Sequence, residues 1–289
     1  MERIFLTIII TTYNRPNTLR LAILSILNEI SKINIQPSVN SEIIIVDDGA
    51  YAGFIINEFD QFSNYIKYVK NKSKIGANAS RRKGLEYSSG EFVVFLDDDD
   101  SWLDGRFMEL YSFHHLNGFD CHFARYKIFG SLKSNIIHHL SLLWRRKNLL
   151  YSNYLGGFSV FSIRRIILIN NIHFMRMDLK SCQDWYLYIN LYQNKSITKS
   201  YGIFPTIRYN VHNAGNISSS SDNRYKGLLI IKILLKKLHV NKNIYYNILS
   251  ELFLLRRDTF KKNNYQKFFF ILKFGSFPIK IKLFKSLFK

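Results

Sequence analysis

Acidic residues and cysteines are both scarce in this 289-residue chain. Asp and Glu number 21 against 41 Lys and Arg, a formal charge of +20 at pH 7. Such an excess suits polyanionic partners: nucleic acid, an anionic membrane surface or phosphorylated ligands. Part of it is compositional, because the chain is rich in Ile, Asn and Lys together. Cys121 and Cys182 are too few and too far apart for a disulfide framework or a zinc site. Reduced thiols in a cytoplasmic protein are expected. No stretch approaches the ~20 consecutive apolar residues that a membrane span needs. Met1-Glu2-Arg3 runs straight into a strand-like segment and does not read as a signal peptide. A soluble or peripheral protein is the expectation. There is no G-x-G-x-x-G after the first apolar run and no G-x-x-x-x-G-K-[ST] anywhere. Dinucleotide redox chemistry and P-loop phosphoryl transfer therefore lose ground.

The few acids are concentrated. Phe92–Trp102 reads FVVFLDDDDSW, an apolar run that ends in Asp97, Asp98, Asp99 and Asp100. A continuous run of this kind predicts a strand buried on both faces, as in a parallel sheet covered by helices. Four adjacent carboxylates repel one another unless a cation sits among them. Oxygen ligands at this density suit a hard divalent ion, Mn²⁺ or Mg²⁺. The competing reading is an acidic, solvated turn.

The chain before this stretch alternates. Ile4–Thr11 has a buried-strand pattern, broken by Thr12-Tyr13-Asn14-Arg15-Pro16, and Pro16 opens an amphipathic helix. Glu42–Val46 is a second strand, ending at Asp47-Asp48-Gly49. A helix near Gly53–Phe62, a strand at Tyr65–Lys70 and a helix at Gly76–Tyr87 follow. The pattern predicts a parallel α/β sheet. Thr11, Tyr13, Asn14 and Arg15, then Asp47 and Asp48, then Asp97–Asp100 fall at strand exits, where open sheets bind ligands.

TIIITTYNRP, IIIVDDG and GANASRRKGLEYSSGEFVVFLDDDDSW, in this order and spacing, resemble the nucleotide-sugar-binding half of family 2 glycosyltransferases with the GT-A fold. The resemblance is good over residues 4–110 and weaker to about 215. It implies a GT-A domain over 1–224, with a nucleotide-sugar half (1–110) and an acceptor half (111–224). Thr11 and Tyr13 match the family's uridine pocket, and Arg15 belongs to the same nucleotide-sugar site. Asp48 matches the carboxylate that accepts the uracil imide N–H. Arg81 matches the arginine of the A-R-N element; Arg82 stands in place of its Asn, which leaves open which arginine reaches the nucleotide. Asp97-Asp98-Asp99 occupies the D-x-D position. Asp99 is the expected direct ligand of Mn²⁺ or Mg²⁺, with Asp97 or Asp98 nearer the ribose or a metal-bound water.

Beyond Leu110 the pattern thins. His114-His115 and His138-His139 are expected on the surface, since adjacent histidines point in different directions. Trp144-Arg145-Arg146-Lys147 suits an acceptor or phosphate site, or a solvated basic face. Gly156–Phe161 resembles the family's small-residue turn near the acceptor, and Cys182-Gln183-Asp184-Trp185 resembles its E-D motif with Gln183 in place of Glu. By that resemblance Asp184 is the base that takes the acceptor hydroxyl's proton; Asp178 is the fallback. Val211-His212-Asn213 and Ile217-Ser218 resemble a loop closing over the diphosphate, with His212 on metal or phosphate. Ser218–Ser221 with Gly215 has the composition of a mobile lid.

From Tyr225 the composition shifts, and a basic amphipathic helical extension over 225–289 is expected. After Leu228 there are 14 Lys and Arg against Glu251 and Asp258. Leu228–Leu238 and Ile244–Leu255 read as helices. FFFILKFGSFPIKIKLFKSLFK at Phe268–Lys289 suits an interfacial anchor on an anionic inner leaflet. Stacking on single-stranded nucleic acid is the weaker option, because no nucleic-acid motif accompanies it; a plain helical layer packed on the domain is another.

The expected activity is inverting, metal-dependent transfer of a sugar from a UDP-sugar to a hydroxyl of a saccharide acceptor. The family context implies a polyprenyl-diphosphate-linked acceptor in O-antigen or capsule synthesis, and the basic tail on a chain without membrane spans points to an acceptor at the inner face of the plasma membrane. The alternatives are a nucleotidyltransferase on a similar sheet and a non-enzymatic binder of anionic surfaces centred on the tail.

Overall fold

The computed structural model describes residues 4–32, 40–49, 52–130, 149–210 and 220–241, together with helical positions 244, 245, 248, 249, 251 and 252. The chain runs β1 (Ile4–Thr12), α1 (Pro16–Ser31), β2 (Asn40–Asp47), α2 (Ala52–Ile56), β3 (Ile66–Lys70), α3 (Ala77–Tyr87) and β4 (Phe92–Asp97). Then come β5 (Ser101–Trp102), α4 (Arg106–Leu110), β6 (Cys121–Phe129), β7 (Phe161–Arg164), α5 (Arg165–Asn170), α6 (Gln183–Gln193), β8 (Lys199–Asn210) and α7 (Ser221–Lys237). Among the described residues the strands form one sheet in the order β3-β2-β1-β4-β7-β6-β8-β5.

The apolar runs explain its first half. β1, β2 and β4 are buried along nearly their whole length, as a parallel sheet covered on both faces requires. β1 pairs in parallel with both β2 and β4, and β2 with β3. The chain therefore crosses to the other side of β1 between β3 and β4, and a crevice opens where the order reverses. Register sets its contents: Thr11 lies beside Asp97, and Thr12 beside Asp47. Helix α3 lies close against this sheet. A Cβ on Gly84 would stand 2.5 Å from Ile9 Cγ2, so glycine is what permits the approach.

Past β4 the sheet is mixed. β7 pairs antiparallel with β4 and β6, while β6 and β8 run parallel. The two halves expected from the sequence thus share one sheet. Helix α1 begins with Pro16 at its first turn and buries Leu19, Ala22, Ile23 and Ile26. The segment expected as one helix near Gly53–Phe62 is instead α2 followed by a 3₁₀ stretch, Asn57–Phe62, kinked at Phe59.

His114 departs from its expected surface position. It is buried on a π-helical turn, with Nε2 2.7 Å from Ser162 Oγ and Nδ1 2.8 Å from the Phe119 carbonyl. The carbonyl can only accept, so Nδ1 carries the proton. Burial pushes its pKa down to about 3. His115 is exposed. Helix α7 starts at Ser221, capped by Ser220 Oγ, which accepts the Asn223 N–H. It runs through position 225, where the composition shifts, and Leu228, Ile231, Leu234 and Leu235 join the main core. No helix among the described residues is long and apolar enough to cross a membrane.

Candidate active site

A cleft of about 410 Å³ opens at the carboxyl ends of β1, β2 and β4 and extends to the head of α6 and the end of β8. All four aspartates after β4 line it, yet each has different partners. Asp97 Oδ1 accepts from Arg81 Nη2 at 2.5 Å. Asp98 is 5% exposed; its Oδ2 accepts from the Thr12 hydroxyl (2.7 Å) and the Tyr13 N–H (3.4 Å), and its Oδ1 from Arg15 (3.1 Å). Asp99 Oδ2 accepts from Arg15 Nη1 at 2.6 Å. Asp100, buried, accepts from Ser159 Oγ (2.5 Å) and the Asn210 N–H (3.0 Å).

The electrostatics follow from these environments. Burial pushes the Asp98 carboxyl up to about 6, although Thr12 and Arg15 pull the other way. Burial, with Asp97 and Asp99 nearby, raises the Asp100 carboxyl well above the usual range. Arg15 bridges Asp98 and Asp99. Burial alone would lower its pKa, but those two carboxylates more than compensate and hold it above the usual value.

Asp48 ends β2 and faces the same cleft. Its oxygens accept the N–H groups of Ile75 (2.7 Å) and Gly76 (2.8 Å) and the Asn71 side-chain amide (2.9 Å), drawing the loop before α3 onto the sheet edge. Asp47 stabilises the turn after β2 by accepting the Gly49 N–H at 2.8 Å. Tyr13 is 44% exposed, with Lys74 Nζ 3.6 Å above its ring. Thr11 lines the cleft beside it. Arg81 lines the cleft and Arg82 does not. The Arg81 guanidinium also lies 4.0 Å over the Phe158 ring, and its Nη1 donates to Gln183 Oε1 at 3.1 Å.

On the far wall, Cys182 adopts a left-handed conformation (φ 61°) and launches α6 with Asp184 in its first turn. Asp184 lines the cleft. Its Oδ1 accepts the Trp185 N–H (2.7 Å) and its Oδ2 the Asn153 side-chain amide (2.9 Å). Burial raises its pKa to about 6; the Trp185 N–H and Arg81 act against the rise, and Asp97 adds to it. Asp178, the fallback, is outside this cleft. It is exposed, paired with Arg176, and lines a separate, smaller hollow. His212 and the tail from 253 onward lie outside the described residues, as do His138-His139 and Trp144-Arg145-Arg146-Lys147.

Several cleft residues carried no signal in the sequence. Lys74 and Lys180 line it, but they sit in loops where lysine is the commonest solvated residue. Asn210 lines it as well and reaches Asp99 and Asp100 only through the fold. Among the described residues no group of three or more His, Cys, Asp or Glu converges as a metal site.

The sequence pattern of the family described as glycosyl transferase family 2 matches residues 7–175. This chain belongs to that family. Glycosyl transfer is thereby its reaction class, ahead of nucleotidyl transfer or a tail-centred binding role. A GalNAc(5)-diNAcBac-PP-undecaprenol beta-1,3-glucosyltransferase of Campylobacter jejuni is 29% identical over 82% of this chain and 76% of its own length. WfgD of Escherichia coli, a UDP-Glc:alpha-D-GlcNAc-diphosphoundecaprenol beta-1,3-glucosyltransferase, is 24% identical over 79% of this chain and 84% of its own. Among solved structures, Staphylococcus aureus TarS (residues 1–349) in complex with UDP-GlcNAc superposes with a TM-score of 0.63. At 17% identity it covers 94% of this chain and 80% of its own. That likeness establishes the GT-A type of fold for this family 2 member.

Proposed function

We propose that this chain is an inverting glycosyltransferase that moves a sugar from a UDP-sugar to a hydroxyl of a polyprenyl-diphosphate-linked saccharide in bacterial surface-polysaccharide synthesis. The observation that carries the reading is the position of Arg81. Its guanidinium joins Asp97, at the strand end, to Gln183, the neighbour of Asp184. The donor side and the proposed base therefore share one cleft. The names of the Campylobacter jejuni and Escherichia coli relatives both contain a diphosphate-linked undecaprenol, which supports the acceptor class.

In this mechanism the uracil lies against Tyr13 beside Thr11, and a free lone pair of Asp48 takes its imide N–H. Arg15 and Arg81 face the diphosphate. The acceptor oxygen attacks the anomeric carbon from the side opposite the phosphate. The new C–O bond forms as the bond to the UDP oxygen breaks, and Asp184 takes the hydroxyl proton. Above about pH 6 Asp184 is the carboxylate this step needs.

A divalent ion belongs to this reading. Ions of the Mg²⁺ and Mn²⁺ kind need only one or two protein carboxylates, the other positions going to phosphates and water. Asp97 and Asp99 both line the cleft with oxygen donors, so the residues present fit. Asp98, whose oxygens already serve Thr12, Tyr13 and Arg15, suits a bracing role better. Asp99 would hold the ion, with Asp97 beside it, and the ion would take up charge on the departing UDP.

The test is a donor screen with the full chain: UDP-Glc, UDP-Gal, UDP-GlcNAc, UDP-GalNAc and GDP-Man, each with Mn²⁺ or Mg²⁺, reading nucleotide release. Release from a UDP-sugar is expected. Preference for GDP-Man, or no release from any donor with either ion, would overturn the uridine reading.

A further inference from the structure

We propose that Asn153 is a positioning residue for Asp184: its side-chain amide holds the carboxylate in the orientation from which it takes the acceptor's proton. The inference rests on Asp184 being the base. Helix α6 meets the segment 149–157 through three side-chain hydrogen bonds. Trp185 Nε1 donates to the Leu149 carbonyl (2.6 Å), Tyr188 Oη donates to the Gly157 carbonyl (2.9 Å), and Asn153 Nδ2 donates to Asp184 Oδ2 (2.9 Å). The first two fix the helix on the segment. The third acts on the carboxylate itself.

The orientation of the Asn153 amide is forced. Nδ2 also donates to the Gly156 carbonyl at 2.9 Å, and a carbonyl and a carboxylate oxygen can both only accept. Flipping the amide would set its own oxygen against both of them. The arrangement persists although Asn153 Oδ1 is buried and has no partner among the described residues, a state that a folded chain tolerates only where something else fixes the group. Gly156 helps to fix it. It sits at φ 109°, and a Cβ there would approach Tyr126 Cε1 to 2.9 Å. With the Trp185 N–H on Oδ1 and Asn153 on Oδ2, the carboxylate cannot rotate freely, and each oxygen keeps a lone pair for the acceptor hydroxyl.

A hydrogen bond to the charged form also favours that form, so Asn153 counters the burial that pushes Asp184 up to about 6. The other groups facing Asp184 are few. Arg81 comes from α3 and Asp97 from β4, while Lys180 lines the same cleft. Cys182 is pushed up to about 11, and Tyr126, Tyr188 and Tyr209 are all raised, so all four are neutral near pH 7. Asp98 titrates nearby but does not touch Asn153. A rate limb that moves with Asn153 therefore reports Asp184.

The experiment is the pH profile of kcat from pH 5 to 8.5, at saturating donor, for Asn153→Ala, Asn153→Asp and Asn153→Ser. The acid limb should move up by about one pH unit in Asn153→Ala. It should move further in Asn153→Asp, where a second carboxylate opposes ionisation, and least in Asn153→Ser, which keeps a donor. KM for the donor should stay within about twofold, because the donor side is untouched. Asn153→Asp is isosteric and reads the effect even where Asn153→Ala does not fold. A limb at the wild-type position in the folded variants, whatever the loss in kcat, would make Asn153 merely structural. Asp184→Asn separates the two readings: near-wild-type turnover there would remove the base itself, whereas an inactive Asp184→Asn with unmoved Asn153 limbs would remove only the present inference.

Discussion

Replacing Arg81 with Met keeps a side chain of similar length against Phe158 and deletes the guanidinium. Asp97 Oδ1 then loses a donor at 2.5 Å and Gln183 Oε1 one at 3.1 Å. Removing one partner of a fully buried ion pair costs about 3–5 kcal/mol. The Arg81 side chain is 7% exposed but that of Asp97 is 30% exposed, so water recovers part of the loss. The expected cost falls to about 1–3 kcal/mol. For a chain of this size each 1 kcal/mol moves Tm by roughly 2–4 °C, giving a drop of about 2–12 °C. The assay is a circular-dichroism melt at pH 7.5, repeated from low to high salt, with little dependence on salt because the pair is shielded. Arg81→Lys should fall between the two, since a single ammonium cannot present the guanidinium's fork to both Asp97 and Gln183. Arg81 also favours the ionised form of Asp184, so the acid limb of the Met variant should rise as well. A Met variant that melts with the wild type would refute the reasoning, because the pair would then hold nothing together.

Asp99→Asn should lower turnover by about 100-fold or more while the protein still folds; near-wild-type turnover with Mn²⁺ would remove Asp99 as the ion's ligand. The wild-type rate should fall as pH drops through about 6, since Asp184 must be deprotonated to act and burial has raised its pKa; a rate that stays flat to pH 4.5 would contradict this. Asp100→Asn should raise Tm at pH 8, and the gain should shrink toward pH 4. A buried carboxyl with a raised pKa binds a proton more tightly in the folded state, so its burden on stability grows as pH rises. The Asn amide can still accept the Asn210 N–H and donate to Ser159. Equal melts at both pH values would show that Asp100 carries no such burden. Deleting residues 268–289 should keep turnover on a soluble acceptor and abolish co-sedimentation with anionic vesicles; pelleting that persists would take the anchor away from this segment.

The donor half was legible because backbone pattern alone decides it. Strands buried on both faces are apolar throughout, and parallel register then lines up their polar exits. That is why Thr11, Asp48 and Asp97 reach one cleft. Asp178 and Asp184 could not be separated in the same way. Both follow a thin pattern, and the distinction depends on where α6 begins. Cys182 in a left-handed conformation sets that point and turns Asp184 inward, while Asp178 pairs with Arg176, two residues away, at the surface. Asn153 was illegible for a further reason. Its partner lies 31 residues ahead, and a lone Asn in a Tyr-Ser-Asn-Tyr-Leu-Gly-Gly stretch reads as ordinary turn composition.

The run of four aspartates shows how far charge density can carry an argument. Adjacent carboxylates need relief, and a dication is one source of it. The fold supplies two others. Arg15 and Arg81 meet Asp98, Asp99 and Asp97 directly, and burial makes Asp98 and Asp100 hold their protons to higher pH. Repulsion by itself therefore does not demand a metal. What favours one is the uneven division of labour: Asp98 and Asp100 are spent on Thr12, Ser159 and backbone donors, whereas Asp97 and Asp99 meet the cleft through arginines suited to a diphosphate. If a donor arrives with an ion, Arg15 can exchange Asp99 for phosphate oxygens without leaving any charge unmatched. That exchange gives Asp99→Asn a second readout: it should weaken Mn²⁺ binding by the protein with UDP bound, a loss measurable without turnover.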